Sequence, residues 1–283
     1  MDASGFRNLL NSAPAAPELA GTSLAVSDVE IEGHAQDIVL RLYRRPDKTG
    51  LPVVLYFHGG GFVRGSLADA DADFASRFIA ERLPALVVSV DYSLAPKHPF
   101  PAAPEDAYRA VRWVETRARA FGGNPRKIAV AGHDAGGQIA NCLAFIARDR
   151  GEISIAAQAL FGPMLDPSMT RMGDERQLGS DITVKECAAC YRAYLPQPAQ
   201  RMHPYAAPLE SARLARLPAT LIATAQNDVL HVEAEKYAAR LIEAGVLTQV
   251  IRYPDVTHAE LGSYAPALQE AVRFLTCRFQ AQT

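Results

Sequence analysis

The 283-residue chain has four cysteines, one tryptophan and no excess of charge of either sign. Four cysteines (Cys142, Cys187, Cys190, Cys277) are too few to staple a chain of this length with disulfides. The Cys187-Ala-Ala-Cys190 spacing has no second CxxC and no clustered histidines beside it. It reads as two incidental helix cysteines, and neither metal nor cofactor is expected. A formal charge of −2 gives no pull toward nucleic acid or an anionic membrane. No apolar run reaches the roughly 18–20 residues that span a bilayer. The first twenty residues lack the basic start and long apolar stretch of a secretory signal. These absences leave a cytoplasmic enzyme with a small-molecule substrate as the expectation. With 49% hydrophobic and 21% charged residues, the chain can bury a substantial core.

What is present is alternation. Short β-branched runs at 38–43, 53–58, 86–91, 128–131, 155–161, 220–225 and 249–253 read as strands. Several are almost continuously apolar, as expected for strands covered on both faces. Helical patterns fall between them, at 104–121, 135–150, 232–244 and 264–278, with another from an N-cap at Ser66 through Arg82. The pattern predicts one domain over 1–283, built on a mostly parallel sheet flanked by helices. Residues 1–25 and 164–216 break the alternation, the latter holding one helix at 184–195. Long insertions at the carboxyl ends of strands cover the ligand crevice of such sheets, so these two stretches are expected to form a cap.

Three motifs carry chemistry. Ala131-Gly132-His133-Asp134-Ala135-Gly136-Gly137 has the Gly-x-Nuc-x-Gly pattern of a nucleophile elbow, with aspartate at the nucleophile position. His58-Gly59-Gly60-Gly61-Phe62 follows a strand, and consecutive glycines there let backbone N–H groups converge as an oxyanion hole. Downstream, Asp228 and His258 each lie just past a strand, in the order nucleophile, acid, histidine. Asp228 would hold the imidazole tautomer and His258 would act as base. The other histidines, among them His34, His98, His203 and His231, fit that position less well.

These segments together resemble the hormone-sensitive lipase family of α/β-hydrolases, which includes bacterial esterases and plant carboxylesterases. The resemblance rests on HGGGF (58–62), DYSLAPKHPFPAAPEDA (91–107), AGHDAGG (131–137), YAAPL (205–209), NDVLHVEAEKYAARL (227–241) and YPDVTH (253–258), and runs from about residue 35 onward. It implies an α/β-hydrolase fold with a mostly parallel central sheet, flanking helices and a small helical cap. It also implies an oxyanion hole of Gly60, Gly61 and the Ala135 amide, with Asp228 and His258 as acid and base and homodimers as a usual arrangement. The family's elbow reads Gly-Asp-Ser-Ala-Gly-Gly, so its serine falls on Asp134 and its aspartate on His133. The family's Asp-Pro-Leu-Arg-Asp after the acid is Asp-Val-Leu-His-Val here.

Aspartate changes the chemistry. Attack on an ester would give an adduct that expels either a carboxylate or an alkoxide. The carboxylate is the better leaving group by about 11–12 pKa units, so collapse returns the ester. A carboxylate can instead attack a saturated carbon, giving an alkyl ester that a His258-activated water hydrolyses. Gly-His-Asp-x-Gly-Gly resembles the elbow of epoxide hydrolases and some dehalogenases that work this way. Tyr191 and Tyr194, spaced i, i+3 on the 184–195 helix, are candidate phenol donors to such a substrate. Asp134 as a base toward water, a silent binding site, and an aspartate introduced into an esterase are the alternatives. Without a basic cluster near the motifs, the expected substrate is small, apolar and uncharged.

Overall fold

The computed structural model describes residues 24–281. One eight-stranded sheet runs through it, in the order β1-β2-β4-β3-β5-β6-β7-β8. Strands β1 (Ala25–Glu32) and β2 (Asp37–Arg44) pair antiparallel, and β2 pairs antiparallel with β4 (Leu86–Asp91). From β4 onward all pairing is parallel, through β3 (Leu51–Phe57), β5 (Gly123–His133), β6 (Ala157–Phe161), β7 (Ala219–Asn227) and β8 (Thr248–Thr257). The chain therefore has the expected α/β-hydrolase fold.

The apolar strands are covered on both faces, which is why they lack a polar alternation. Val53, Leu55 and Phe57 of β3 point into one core and Val54 and Tyr56 into the other. The first core receives α2 (Ala102–Arg117), α3 (Ala135–Arg150) and α6 (His231–Glu243), and the second receives α1 (Ala70–Arg82) and α8 (Ala265–Gln280). The remaining helices are short: α4 (Glu175–Leu178), α5 (Val184–Tyr194) and α7 (His258–Leu261). Among the described residues no helix is long and apolar enough to cross a membrane.

Three details differ from the sequence expectation. Strand β1 has no counterpart in the sequence pattern, because its edge position buries no side chain fully and only Val29 and Ile31 pack on the core. Helix α1 starts at Ala70 with Asp69 as its cap residue, while Ser66 sits in a preceding turn that hydrogen-bonds the Asp69 carboxylate. The helix expected over 104–121 is α-helical only to Arg117 and tightens to a 3₁₀ turn ending at left-handed Gly122. Of the two expected cap stretches, 164–216 is described, and all but the last two residues of 1–25 lie outside the described residues.

Candidate active site

The carboxyl ends of β3, β5, β7 and β8 bring the motifs together. Strand β5 runs into Asp134 and α3 begins at Ala135, so the backbone reverses within one residue. Asp134 takes φ 55°, ψ −121°, a strained conformation for an L-residue, held by its N–H to the Phe161 carbonyl at 2.9 Å. Only glycine fits at 136, where a Cβ would stand 2.1 Å from the Phe57 carbonyl oxygen. The elbow thus packs directly on the end of β3.

The His58–Phe62 loop leaves β3 beside it. Gly60 and Gly61 have φ of 112° and 61°, and a Cβ on Gly61 would meet Cys190 Sγ at 2.5 Å. The loop is braced from behind: the Tyr92 hydroxyl donates to the His58 carbonyl at 2.8 Å, and the two rings stack at 4.3 Å.

The amides of this loop already have an acceptor. Gly60 N–H and Gly61 N–H donate to Asp134 Oδ2, at 2.9 and 2.7 Å. The carboxylate fills the anion site that the loop builds. The third expected donor, the Ala135 amide, is not among the groups bonded to the Asp134 carboxylate. The other oxygen, Oδ1, lies 3.5 Å from His258 Nε2, an ion-pair distance longer than a hydrogen bond.

On its far side His258 Nδ1 donates to Asp228 Oδ2 at 2.8 Å, and Asp228 Oδ1 accepts the Leu230 N–H at 2.8 Å. Asp228 is fully buried and His258 and Asp134 nearly so. Burial opposes charge on His258 and Asp134. For His258 the Asp228 charge, the Asp134 contact and the Asp228 hydrogen bond outweigh it, and the imidazole pKa stands well above its ordinary value. For Asp134, burial is outweighed by the His258 contact and charge, His133 and the Gly61 amide, which hold the carboxyl well below the usual range. At neutral pH the resting pair is carboxylate and imidazolium.

Asp134 and His258 open into a pocket of about 570 Å³. Its wall is not purely apolar: Asp69, Asp71, Asp181 and Glu186 line it, against Arg64 as the one Lys or Arg among the described residues. The segment 164–216 supplies Met164, Asp181, Ile182, Glu186, Cys187 and Cys190 to the lining. Asp181 also accepts the His258 and Ala259 N–H groups at 3.0 Å each, fixing the start of α7 and so the base loop.

Tyr191 and Tyr194 do not reach this pocket. Both are almost completely buried, and Tyr194 stacks on Phe62 at 3.9 Å with Phe100 at its edge. The first turns of α5 face the pocket with Cys187 and Cys190, while its last turn enters the core. In this structure the tyrosine pair packs in the core, and the α5 side chains that line the pocket are Cys187 and Cys190. Among the described residues no group of His, Cys, Asp and Glu is arranged to hold a metal ion.

Comparison with known proteins agrees with this layout. A family profile described as "alpha/beta hydrolase fold" matches residues 54–261. "Esterase LipI" of Mycobacterium tuberculosis is 40% identical over 258 residues, covering 88% of this chain and 79% of that protein. The hyperthermophilic esterase from the archaeon Pyrobaculum calidifontis superposes with a TM-score of 0.81 at 38% identity, over 91% of this chain and 83% of that one. EstE1, a thermostable carboxylesterase cloned from a metagenomic library, gives 0.83 at 32% identity, over 98% and 94%. Sheet, elbow and relatives agree, and the chain belongs to the hormone-sensitive-lipase-like α/β-hydrolases as a carboxylesterase-like hydrolase.

Proposed function

We propose that Asp134 attacks a saturated carbon of a small-molecule substrate, and that water activated by His258 then hydrolyses the resulting alkyl ester. The observation that carries this is the seating of Asp134 Oδ2 on the Gly60 and Gly61 amides. With Oδ2 tied down, Oδ1 is the oxygen left beside His258 and the pocket. An ester carbonyl finds its anion site occupied, in line with the leaving-group argument against acyl transfer.

In the first step the Asp134 Oδ1–carbon bond forms and the bond from that carbon to its leaving group breaks, the electron pair departing with the leaving group. Where that group is an epoxide oxygen, the His258 imidazolium delivers its Nε2 proton. Alkylation removes the charge on Asp134, one of two anions that keep His258 protonated. The imidazole becomes a base at the moment a base is needed. It takes a proton from water, which adds to Cγ of Asp134. The oxyanion forms on Oδ2, already held by two amides. Collapse expels the alcohol, which carries Oδ1 and the proton from His258, and the acid left on Asp134 passes its remaining water proton to the imidazole, restoring carboxylate and imidazolium. Asp228 orients the ring throughout. The segment 164–216 acts as the cap that shields these steps from bulk water.

The test is a single turnover in H₂¹⁸O, with protein in excess over a small epoxide such as styrene oxide. The peptide bearing Asp134 is expected to gain one ¹⁸O while the diol does not. In His258→Gln the alkyl ester should accumulate, visible as a mass increase equal to the probe. A His258→Gln protein that stays unmodified, with label going directly into the diol, overturns the proposal.

A further inference from the structure

Beside the elbow the pocket wall holds an arrangement that the Asp134 chemistry does not use. His133 is 5% exposed, and its Nε2 lies 3.0 Å from the His258 carbonyl oxygen. A carbonyl only accepts, so Nε2 carries the proton and Nδ1 is left with a bare lone pair. Among the described residues that buried Nδ1 has no hydrogen-bond partner. It faces Asp71 Oδ2, a second acceptor, across 3.8 Å. Neither can satisfy the other. At this spacing one donor atom to the side of the pair can lie about 2.8 Å from both.

Glycine flanks the pair on both sides. A Cβ on Gly262 would stand 2.8 Å from His133 Nδ1 and 3.1 Å from Asp71 Oδ2, and one on Gly59 would stand 3.0 Å from Nδ1. Side chains at either position would crowd the lone pair, and glycine occupies both. Gly59 also ties the arrangement to the elbow, since its Cβ position is 3.4 Å from Asp134 Cβ. A group held by His133 and Asp71 is therefore a short chain away from the atom that Asp134 attacks.

Charge decides what kind of donor fits. Besides Asp71, the carboxylates of Asp69, Asp134, Asp181 and Glu186 line the pocket. Among the described residues its one Arg or Lys, Arg64, acts on Glu186 and Cys190 and so belongs to another part of the wall, and the His258 cation is already paired with Asp134 and Asp228. A water or hydroxyl supplies the hydrogen bonds but leaves the negative field uncompensated. A protonated amine supplies both.

We infer that His133 and Asp71 form a subsite for the ammonium group of an amine-bearing substrate, an inference that rests on the Asp134 pocket accepting small molecules. Primary and secondary amines qualify, because both acceptors need an N–H. A quaternary ammonium does not. The uncharged substrate expected from sequence is thereby replaced by a cationic one.

The experiment is calorimetric titration at neutral pH with benzylammonium, benzyl alcohol and benzyltrimethylammonium. Wild type is compared with Asp71→Asn and Gly262→Ala, each first checked by thermal melting. The Asp71→Asn side chain carries no charge, and its amide can itself donate to His133 Nδ1. Position 262 has φ −59°, which alanine accepts, and the methyl crowds the paired acceptors. Benzylammonium is expected to bind wild type about tenfold more tightly than benzyl alcohol, as for a hydrogen bond to a charged group. Both substitutions should bring that ratio near one by weakening the amine far more than the alcohol. Equal binding of amine and alcohol by wild type overturns the subsite, as does no measurable binding of the amine. A preference that survives Asp71→Asn assigns it to the general field of the pocket and also overturns it. So does equal binding of the quaternary probe. None of these readings requires turnover, so a failed ¹⁸O experiment and a failed titration are separate outcomes.

Discussion

At residue 134 the side chain is part of the anion site and not only a neighbour of it. A serine there would leave the Gly60 and Gly61 amides free for a substrate carbonyl and leave His258 with one anionic neighbour. Asp134→Ser is therefore expected to lower the His258 pKa toward the ordinary imidazole range, because the charge and contact of Asp134 both raise it. Proton NMR titration of the imidazole checks this, and an unshifted His258 would mean that Asp228 alone holds its proton. The same variant is expected to gain hydrolysis of a short-chain nitrophenyl ester over the parent, by roughly 10²-fold or more, the scale of an oxyanion-hole contribution. A spectrophotometric assay decides it. Tyr194 gives the opposite kind of test. Its hydroxyl is buried without a partner among the described residues, so Tyr194→Phe should leave turnover unchanged and raise stability by up to about 1 kcal/mol. Lost activity at unchanged stability would return the tyrosine to the substrate.

At the scale of elements, the cap segment and the base loop are joined by Asp181. It lies in the 164–216 segment yet terminates the N–H groups that open α7, the first of which belongs to His258. Asp181→Ala is expected to cost about 1 kcal/mol, as for a lost helix-start acceptor. It should lower kcat more than it raises KM, since both of its hydrogen bonds hold the base loop and it is one of several residues in the pocket wall. Equal changes in both would mean that Asp181 acts on substrate directly. Elements also differ in how legible they are in the sequence. Strands β3, β4 and β7 announce themselves as apolar runs, and the motif order locates Asp134, Asp228 and His258 without any structure. Strand β1 is silent because an edge strand with two half-packed side chains carries little pattern. Helix α5 is legible, but its buried side turns from pocket to core along its length, and spacing alone cannot say which turn faces which. The acidic wall is invisible because Asp71 and Asp181 come from segments more than a hundred residues apart. Neither position carries a motif.

For the whole molecule, the buried titratable groups fix a direction for stability against pH. Glu233, on α6, is fully buried beneath the loop after β6 and accepts the Leu165 N–H at 2.6 Å through Oε1. Burial raises its pKa well above the ordinary carboxyl value, with the Leu165 amide opposing and the Asp166 charge adding to the rise. A group whose pKa is raised on folding stabilises fully below its unfolded pKa and loses that contribution as pH climbs through the folded one. For Glu233 the loss begins above about pH 4.5, and for His258 above about 6.5. Asp134 runs the other way: its contribution is present above about pH 3.8 and is lost as pH falls through its lowered value. These three groups together favour mildly acidic conditions, and each contributes a slope of at most about 1.4 kcal/mol per pH unit. Glu233→Gln keeps the shape and removes the titration. It should flatten the fall of the melting temperature above about pH 4.5 while leaving the limb below about pH 3.8 as it was. Calorimetric melts across the pH range measure both limbs, and a variant whose alkaline limb matches the parent would show that Glu233 is already ionised in the folded protein.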